Sequence, residues 1–211
     1  MKGVQNVLVL APHTDDGELG AGGFISKLIE QGVIVWYMAF STAEESVPDH
    51  LPKTILRDEV RNATSKLGIP EEQLIIKNYA VRKLNYVRQD ILEDLIEIRM
   101  KQSFDLVLLP SRNDIHQDHS VVATEGVRAF KGTSILGYEL IWNNLSFDST
   151  CFVTLEERHV RAKCTALYEY KSQRNRSYMK EDFIYSLAKT RGVQSGNEYA
   201  ECFEVVRWVI N

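Results

Sequence analysis

The sequence is poor in cysteine and has no cysteine pair with the spacing of a metal-binding or redox motif. Its three cysteines are Cys151, Cys164 and Cys202, and none of them forms a Cys-x-x-Cys pair. An odd number of widely spaced cysteines argues against a disulfide framework and is typical of a reducing compartment. We therefore predict a cytoplasmic protein with free, buried thiols.

The sequence also lacks a long apolar run and any block of basic residues. Its first apolar run, Val4–Ala11, is much shorter than the roughly 20 residues of a membrane-spanning helix, and no signal-peptide cleavage pattern follows it. The 25 Lys and Arg residues are scattered and face 29 Asp and Glu, for a formal net charge of −4. Because nucleic acids and anionic membranes bind basic surfaces, we expect no nucleic-acid partner and no stable membrane insertion.

Linkers, repeats and low-complexity segments are absent from the sequence as well. The 211 residues, 44% hydrophobic and 26% charged, have the composition of a globular protein with one large core. We therefore predict a single domain over residues 1–211. The sequence leaves open whether the chain forms a homo-oligomer.

Short apolar runs alternate with amphipathic segments. This pattern predicts β-strands at Val4–Ala11, Val33–Phe40, Leu74–Tyr79, Asp105–Leu109 and Ile135–Leu140. It predicts helices between and after them at Leu19–Glu30, Ile55–Leu67, Arg88–Lys101 and His119–Phe130. The less regular remainder predicts strands at Phe152–Leu155 and Phe203–Val209, and helices at Glu156–Tyr170 and Glu181–Arg191. Alternating strands and helices imply βαβ units, and hence a Rossmann-like three-layer α/β/α fold with a mostly parallel sheet.

Two polar segments interrupt this hydrophobic pattern. Residues 12–18 (PHTDDGE) directly follow the first predicted strand, and residues 113–119 (NDIHQDH) follow the fourth. Together they contain three of the five histidines and five acids. Because ligands bind beyond the carboxyl ends of strands in open α/β sheets, we expect the two segments to meet there.

The side chains of these segments are those that bind a catalytic metal ion. Imidazole and carboxylate groups suit zinc, and a catalytic zinc site commonly has three protein ligands and one open position. His13, Asp16 and His119 would form such a set, and ferrous iron accepts the same ligands. Asp15 and His116 then remain available for proton transfer, as metal-assisted hydrolysis requires.

Both segments resemble motifs of one family, the PIG-L (LmbE-like) N-acetylglucosaminyl deacetylases. That family's first motif reads approximately His-Pro-Asp-Asp-Glu before a Leu-Gly-x-Gly-Gly stretch, and here the sequence is HTDDGELGAGG. Its second motif, Asp-x-His-x-Asp-His, is matched in full by DIHQDH. The similarity extends to Arg57 and Glu59 before Leu67-Gly68, and to late segments that begin at Tyr170 and Ala200.

The resemblance implies a zinc-dependent amide hydrolase that deacetylates a small N-acetylated amino sugar. The resemblance implies that His13, Asp16 and His119 are zinc ligands and that Asp15 is the general base. It implies that His116 stabilises the oxyanion or protonates the amine, and that Asp118 orients His116 and keeps it charged.

Two residues depart from the family's first motif. Thr14 replaces the usual Pro, which we expect to loosen the turn. Gly17 replaces the usual Glu, and an acid follows at Glu18. Elsewhere, Arg57 and Arg82 are predicted to bind a phosphate or carboxylate of the substrate, because guanidinium groups bind such anions bidentately, although solvated helix faces also carry arginines.

Two other functions remain open. A dinucleotide- or S-adenosylmethionine-binding enzyme would need a glycine-rich first turn, but the glycines do not give G-x-G-x-x-G and two acids occupy the turn. A non-catalytic, metal-stabilised binding module would need a closing fourth ligand, which Asp114 or Asp118 could supply.

The remaining histidines and tryptophans have simpler interpretations. His50 and His159 are predicted to lie on the surface, and Trp36 and Trp208 are predicted to lie in the core. Trp142 is predicted either to pack in the core or to stack on a sugar ring.

Overall fold

The computed structural model describes residues 3–210, and within that range its centre is a sheet of seven strands. The strands are β1 (Asn6–His13), β2 (Ile34–Ser41), β3 (Leu74–Ile76), β4 (Leu106–Pro110), β5 (Ser134–Tyr138), β6 (Cys151–Leu155) and β7 (Tyr199–Arg207). Their order is β3-β2-β1-β4-β5-β7-β6. The first five strands are parallel, whereas β7 is antiparallel to both β5 and β6. The mostly parallel sheet is therefore confirmed.

Helices cover both faces of the sheet. They are α1 (Asp16–Glu30), α2 (Ile55–Leu67), α3 (Arg88–Lys101), α4 (Gln117–Ala129), α5 (Glu157–Leu167) and α6 (Glu181–Gln194). Val7 and Val9 of β1 pack with α1, α2, α5 and α6, whereas Leu8 and Leu10 pack with α3 and α4. Because the middle of β1 is buried on both faces, its residues 7–11 are all apolar. The predicted three-layer α/β/α architecture is confirmed.

Helices α1 and α4 begin earlier than the hydrophobic pattern predicts. Helix α1 starts at Asp16 rather than Leu19, and α4 starts at Gln117 rather than His119. Each first turn consists largely of polar residues, and acids are favourable there because the helix dipole is positive at that end. As a result, Asp16 and His119 both lie on helical turns, which hold their side chains more firmly than loops would.

The last strand differs from the prediction in its bounds. Strand β7 spans Tyr199–Arg207, so it begins four residues before the predicted Phe203–Val209, and it lies between β5 and β6. Its first half contains the buried acid Glu201, which forms an ion pair with Lys163 at 2.8 Å. A buried ion pair breaks the apolar pattern on which the prediction of strands depends.

Two predictions about single residues are wrong. His159 is buried rather than on the surface, and its Nε2 lies 2.7 Å from a carboxylate oxygen of Glu30. Trp208 is 48% exposed rather than in the core. Trp36 packs half-buried against the core, and His50 is exposed as predicted.

The three cysteines have free thiols, as predicted. Cys202 is buried, whereas Cys151 and Cys164 are half-buried. Of the helices described between residues 3 and 210, none combines the length and the apolar character needed to cross a membrane.

Candidate metal centre and catalytic cleft

The two polar segments meet at the carboxyl edge of the sheet. The strand order changes direction between β1 and β4, which is where ligands bind in open α/β sheets. His13 is the last residue of β1, and His119 lies in the first turn of α4, after β4. Nδ1 of His13 and Nε2 of His119 are 3.2 Å apart. Both imidazoles line an open cleft of about 340 Å³.

Three donor atoms in this cleft form an almost regular triangle. Oδ2 of Asp16 lies 3.1 Å from Nδ1 of His13 and 3.2 Å from Nε2 of His119, and the two nitrogens are 3.2 Å apart. Ligands arranged tetrahedrally around zinc, at bond lengths of about 2.0–2.1 Å, are about 3.3–3.4 Å apart. The donor types and their spacing therefore fit a divalent ion such as zinc.

A wider set of three histidines also lies in the cleft. Imidazole nitrogens of His13, His116 and His119 are within 4.8 Å of one another, so these residues could also hold a metal ion. The shorter distances to Asp16 favour the set that contains the carboxylate. His116 then lies beside that set rather than in it.

The imidazole rings of His13 and His119 each contact a further carboxylate through the ring nitrogen that is not part of the donor triangle. Nε2 of His13 lies 3.0 Å from Oδ2 of Asp118, and Nδ1 of His119 lies 2.7 Å from Oδ2 of Asp114. Both acids are buried. Such contacts fix the ring orientation and tautomer of metal-binding histidines. The sequence does not indicate that Asp114 orients a histidine. The feature that could have suggested a role is its position as the first residue of the matched DIHQDH motif.

Asp118 contacts a different histidine from the one that the sequence comparison implies. Its carboxylate contacts His13, whereas the ring of His116 has no carboxylate contact among residues 3–210. Asp118 also accepts hydrogen bonds from the backbone N–H groups of Arg82, at 2.6 Å, and Leu84, at 3.3 Å. These bonds hold Arg82 in a left-handed conformation with φ of 64°. Asp118 therefore connects His13 to the β3–α3 loop.

The neighbouring acids Asp15 and Asp16 have different surroundings. Asp16 is buried, contacts His13 and His119, and accepts a hydrogen bond from the backbone N–H of His13 at 2.8 Å. Asp15 is half-buried and lines the cleft, and its side chain makes no hydrogen bond to another residue between 3 and 210. The Asp15 carboxylate is therefore free to act on a molecule in the cleft.

His116 is oriented by the start of α4. It is the residue before the helix, and its Nδ1 accepts a hydrogen bond from the backbone N–H of Asp118 at 3.2 Å. The neutral ring must therefore carry its proton on Nε2. Burial and the neighbouring His119 and His13 lower the pKa of His116 to about 4. His116 is thus arranged as a neutral hydrogen-bond donor to the cleft, and not as the charged group that the resemblance implies, because the Asp118 carboxylate contacts His13 instead.

In the donor triangle the Asp16 carboxylate and the two imidazoles favour each other's charged forms, although the imidazoles repel each other. Burial opposes the charged forms, but contacts with Asp16 and with the carboxylate behind each ring raise the pKa of His13 to about 9 and that of His119 to about 10. The two imidazoles in turn outweigh burial and lower the pKa of Asp16. Burial and the adjacent Asp16 raise the pKa of Asp15 to about 6.

Two arginines line the cleft, and only one of them was predicted. Arg82 lines it as expected, together with Arg176 from the segment between α5 and α6. Neither forms an ion pair with a carboxylate within the described part of the chain. Arg57, the other predicted substrate-binding residue, does not line the cleft and donates a hydrogen bond to Oδ1 of Asn78 at 3.4 Å.

The aromatic residue Trp142 belongs to the wall of the cleft. Its ring stacks on Tyr178 with the centroids 4.1 Å apart and the planes 10° apart. Phe183 packs behind it at 6.1 Å. Trp142 and Tyr178 both line the cleft, so the two stacked rings together form an aromatic wall of the cleft.

Comparison with known proteins agrees with this geometry. The family model described as PIG-L, GlcNAc-PI de-N-acetylase, matches residues 8–130, which include both polar segments. The chain belongs to the PIG-L family. A relative of this PIG-L protein is the uncharacterized deacetylase YaiS of Escherichia coli, 28% identical over 80% of this chain and 91% of YaiS. The structure of N,N'-diacetylchitobiose deacetylase from Pyrococcus horikoshii, complexed with its inhibitor MPG, superposes with a TM-score of 0.78 at 23% identity and covers 97% of this chain and 85% of that one.

The same fold also occurs in an enzyme with a different reaction. The structure of GalB, a 4-carboxy-2-hydroxymuconate hydratase from Pseudomonas putida, has a TM-score of 0.74 at 17% identity and covers 98% of each chain. Similarity at this level shows the fold alone. The reaction of this PIG-L protein must therefore be argued from its own cleft.

Proposed function

We propose that this chain is a metal-dependent N-deacetylase that hydrolyses the acetamide of an N-acetylated amino sugar to acetate and a free amine. The observation that carries the proposal is the triangle of His13, Asp16 and His119 beside the unbonded carboxylate of Asp15. Membership in the PIG-L family supports the same reaction.

The triangle would hold a zinc ion, or a ferrous ion, which accepts the same ligands. When bound, such an ion supplies the Lewis acidity that makes water a nucleophile near neutral pH and polarises an acyl oxygen. The carboxylates of Asp118 and Asp114 would keep His13 and His119 oriented toward it.

Asp15 is proposed to move the proton. Its carboxylate takes a proton from the attacking water as the water oxygen bonds to the acetyl carbon. It then returns that proton to the amine nitrogen as the carbon–nitrogen bond breaks, so that atoms and charge balance. The absence of a hydrogen-bond partner for Asp15 among residues 3–210 supports this role, since a carboxylate engaged elsewhere could not accept a proton from water.

His116 is proposed to stabilise the negative charge that develops on the acyl oxygen. Its Nδ1 is engaged by the backbone N–H of Asp118, so Nε2–H is the donor that remains for a substrate. A donor fixed before the reaction is effective because it needs no reorganisation when the charge develops. This role requires a hydrogen bond rather than a permanently charged imidazole.

The cleft favours a substrate that carries an anionic group near the acetamido sugar. Arg82 and Arg176 offer guanidinium groups that carry no carboxylate partner in residues 3–210, and phosphate or carboxylate is the ligand that such groups bind best. The aromatic wall of Trp142 and Tyr178 is suited to contact a sugar ring.

The experiment that tests the proposal measures acetate release from matched neutral and phosphate- or carboxylate-bearing N-acetyl sugars. The protein is used after chelation and after restoration with zinc or ferrous ion. We expect acetate only from the metal-loaded protein and a higher kcat/KM on anionic sugars. Metal uptake without acetate release from any sugar would favour a binding module, and addition of water to an unsaturated acid would favour a hydratase.

The anion preference is tested by replacing single arginines. Arg82→Gln and Arg176→Gln should each reduce the anionic-to-neutral ratio of kcat/KM by about 10-fold or more, the worth of one charged hydrogen bond. Arg174→Gln is the matched control, because Arg174 stacks on Tyr168 at 4.1 Å and does not line the cleft. A change seen only with Arg57→Gln would support the assignment from sequence instead.

A further inference from the structure

A buried cluster of hydroxyl and carboxyl groups lies directly beneath the cleft. It consists of the side chains of Glu18, Tyr37 and Tyr170 around the backbone carbonyl of Thr14, and we call it the carbonyl clamp. All three side chains have an exposed fraction of 0%, and Thr14 has 1%. The reaction proposed above uses none of these side chains.

Both tyrosines contact the same carbonyl and the same carboxyl group. The hydroxyl of Tyr37 lies 2.9 Å from the Thr14 carbonyl oxygen, and the hydroxyl of Tyr170 lies 2.7 Å from it. Tyr170 also lies 2.9 Å from Oε1 of Glu18, and Tyr37 is hydrogen-bonded to Oε2 of Glu18. Each hydroxyl has a single proton, so the two tyrosines and Glu18 share their protons in one buried hydrogen-bond network that encloses the Thr14 carbonyl oxygen.

Gly17 leaves the space that the ring of Tyr37 occupies in the carbonyl clamp. The backbone N–H of Gly17 donates a hydrogen bond to the hydroxyl of Tyr37 at 3.1 Å. A Cβ atom at position 17 would lie 2.5 Å from the ring of Tyr37, a distance that real Cβ contacts do not reach. The glycine in place of the family's usual Glu is thus required by the tyrosine that occupies the space, and the nearby acid Glu18 belongs to the clamp.

The clamp acts on the peptide that joins a metal-ligand candidate to the proposed base. Thr14 lies between His13 and Asp15, so the direction of its carbonyl sets the plane of the peptide bond that enters Asp15. Thr14 lacks the proline ring that would fix φ at this position. The buried hydroxyls of Tyr37 and Tyr170, which lie outside the turn in the sequence, contact the Thr14 carbonyl and restrain the backbone in place of the proline ring. The looser turn expected from the sequence is therefore held by tertiary contacts.

We propose that Glu18, Tyr37 and Tyr170 are positioning residues that hold the Thr14 carbonyl and thereby aim the carboxylate of Asp15 into the cleft. This inference rests on the proposed function for the role of Asp15. A displacement of about 1 Å of a reacting group can reduce a rate about 100-fold, so a restraint of this kind has a measurable effect on kcat.

The test compares Tyr37→Phe, Tyr170→Phe and the double variant with a matched control, Tyr138→Phe. Tyr138 is also fully buried and donates its hydroxyl to a β1 carbonyl, that of Leu10, at 2.9 Å. Each substitution removes one buried hydroxyl, so thermal stability is measured in every variant and the loss of kcat is compared with the loss of stability. We expect kcat to fall about 10-fold in each clamp variant and about 100-fold in the double variant, with KM within about 2-fold. In Tyr138→Phe, kcat should change less than about 2-fold.

Two further readouts separate positioning from structural support. Metal affinity, measured by chelator competition, should stay within about 3-fold of the wild type in the clamp variants. In an Asp15→Asn background the clamp substitutions should cost nothing further in residual rate, because they act through Asp15. Equal loss of stability with unchanged kcat, or loss of kcat in proportion to loss of metal, would overturn the inference.

Amide hydrogen exchange of a peptide spanning residues 12–16 tests the clamp without any substrate. Exchange in this peptide should become faster in the clamp variants and stay unchanged in Tyr138→Phe. Unchanged exchange in all variants refutes the clamp, whatever reaction the protein performs. Faster exchange in a protein that releases no acetate would instead refute the proposed function and leave the restraint on the turn established.

Discussion

The neighbouring acids Asp15 and Asp16 provide the sharpest test of the proposal, because the same Asp→Asn substitution should abolish metal binding at one position and leave it unchanged at the other. Asn keeps the shape of Asp and removes its negative charge. Asp16→Asn weakens a corner of the donor triangle, where the carboxylate lies 3.1 and 3.2 Å from two imidazole nitrogens. Asp15→Asn leaves that triangle intact and removes only the carboxylate that faces the cleft without a partner in residues 3–210.

The two substitutions should affect different quantities, metal affinity in Asp16→Asn and the reaction rate alone in Asp15→Asn. Removing an orienting partner of a metal ligand typically costs about 10- to 100-fold in metal affinity, so removing a ligand itself should cost more than about 100-fold. Asp16→Asn should therefore lose both metal and activity. Asp15→Asn should bind metal as the wild type does and lose about 10²- to 10⁴-fold in rate, the usual contribution of general acid–base catalysis. That loss corresponds to about 3–5 kcal/mol of activation free energy.

The assay pairs elemental analysis and chelator competition with the rate of acetate release. His119→Ala should resemble Asp16→Asn, and His116→Ala should resemble Asp15→Asn. If Asp15→Asn strips the metal while Asp16→Asn retains it, the two roles are reversed. If neither substitution affects hydrolysis, the reaction takes place elsewhere in the molecule and the deacetylase proposal fails.

Three more predictions concern the surroundings of the site and the stability of the fold. Asp114→Asn should weaken metal affinity about 10- to 100-fold in chelator competition, because it leaves the ring of His119 without its partner at 2.7 Å. Gly17→Ala should lower the free energy of unfolding by about 1–3 kcal/mol in denaturant titration, because its Cβ overlaps the buried ring of Tyr37. Hydrogen bonds from Arg158 and His159 lower the pKa of Glu30 from 4.5 to about 2, so its contribution to stability should be complete above pH 4.5 and lost as the pH falls toward 2. The stability difference between wild type and Glu30→Gln should disappear over that range, and a difference that persists at pH 2 would contradict the pKa assignment.

The sequence was sufficient to predict the parts of the fold that depend on local pattern. The apolar residues 7–11 within β1 predict a strand buried on both faces, and Leu8 and Val9 do pack against opposite layers. The proximity of His13, Asp16 and His119 was also predictable, because each lies within a short motif at the end of a parallel strand.

Contacts between distant segments could not be predicted in the same way. Asp118 was expected beside His116, its near neighbour in sequence, but its carboxylate reaches His13 and the backbone of Arg82 instead. Arg176 comes from an irregular segment whose place over the cleft depends on the packing of α5 and α6. Sequence spacing gives the distance between residues along the chain, whereas these contacts depend on the direction of each side chain.

The divergence of Asp15 and Asp16 follows from where α1 begins. Asp15 is the last residue before the helix, and its carbonyl accepts the first helical hydrogen bond, from Leu19 N–H at 3.0 Å. Successive residues of a helix are rotated by about 100°, so two adjacent carboxylates at its start cannot face the same point. One is therefore directed to the imidazoles and the other to the cleft. A start at Leu19, as the hydrophobic pattern predicts, would leave both acids in a loop, where nothing would keep their directions apart.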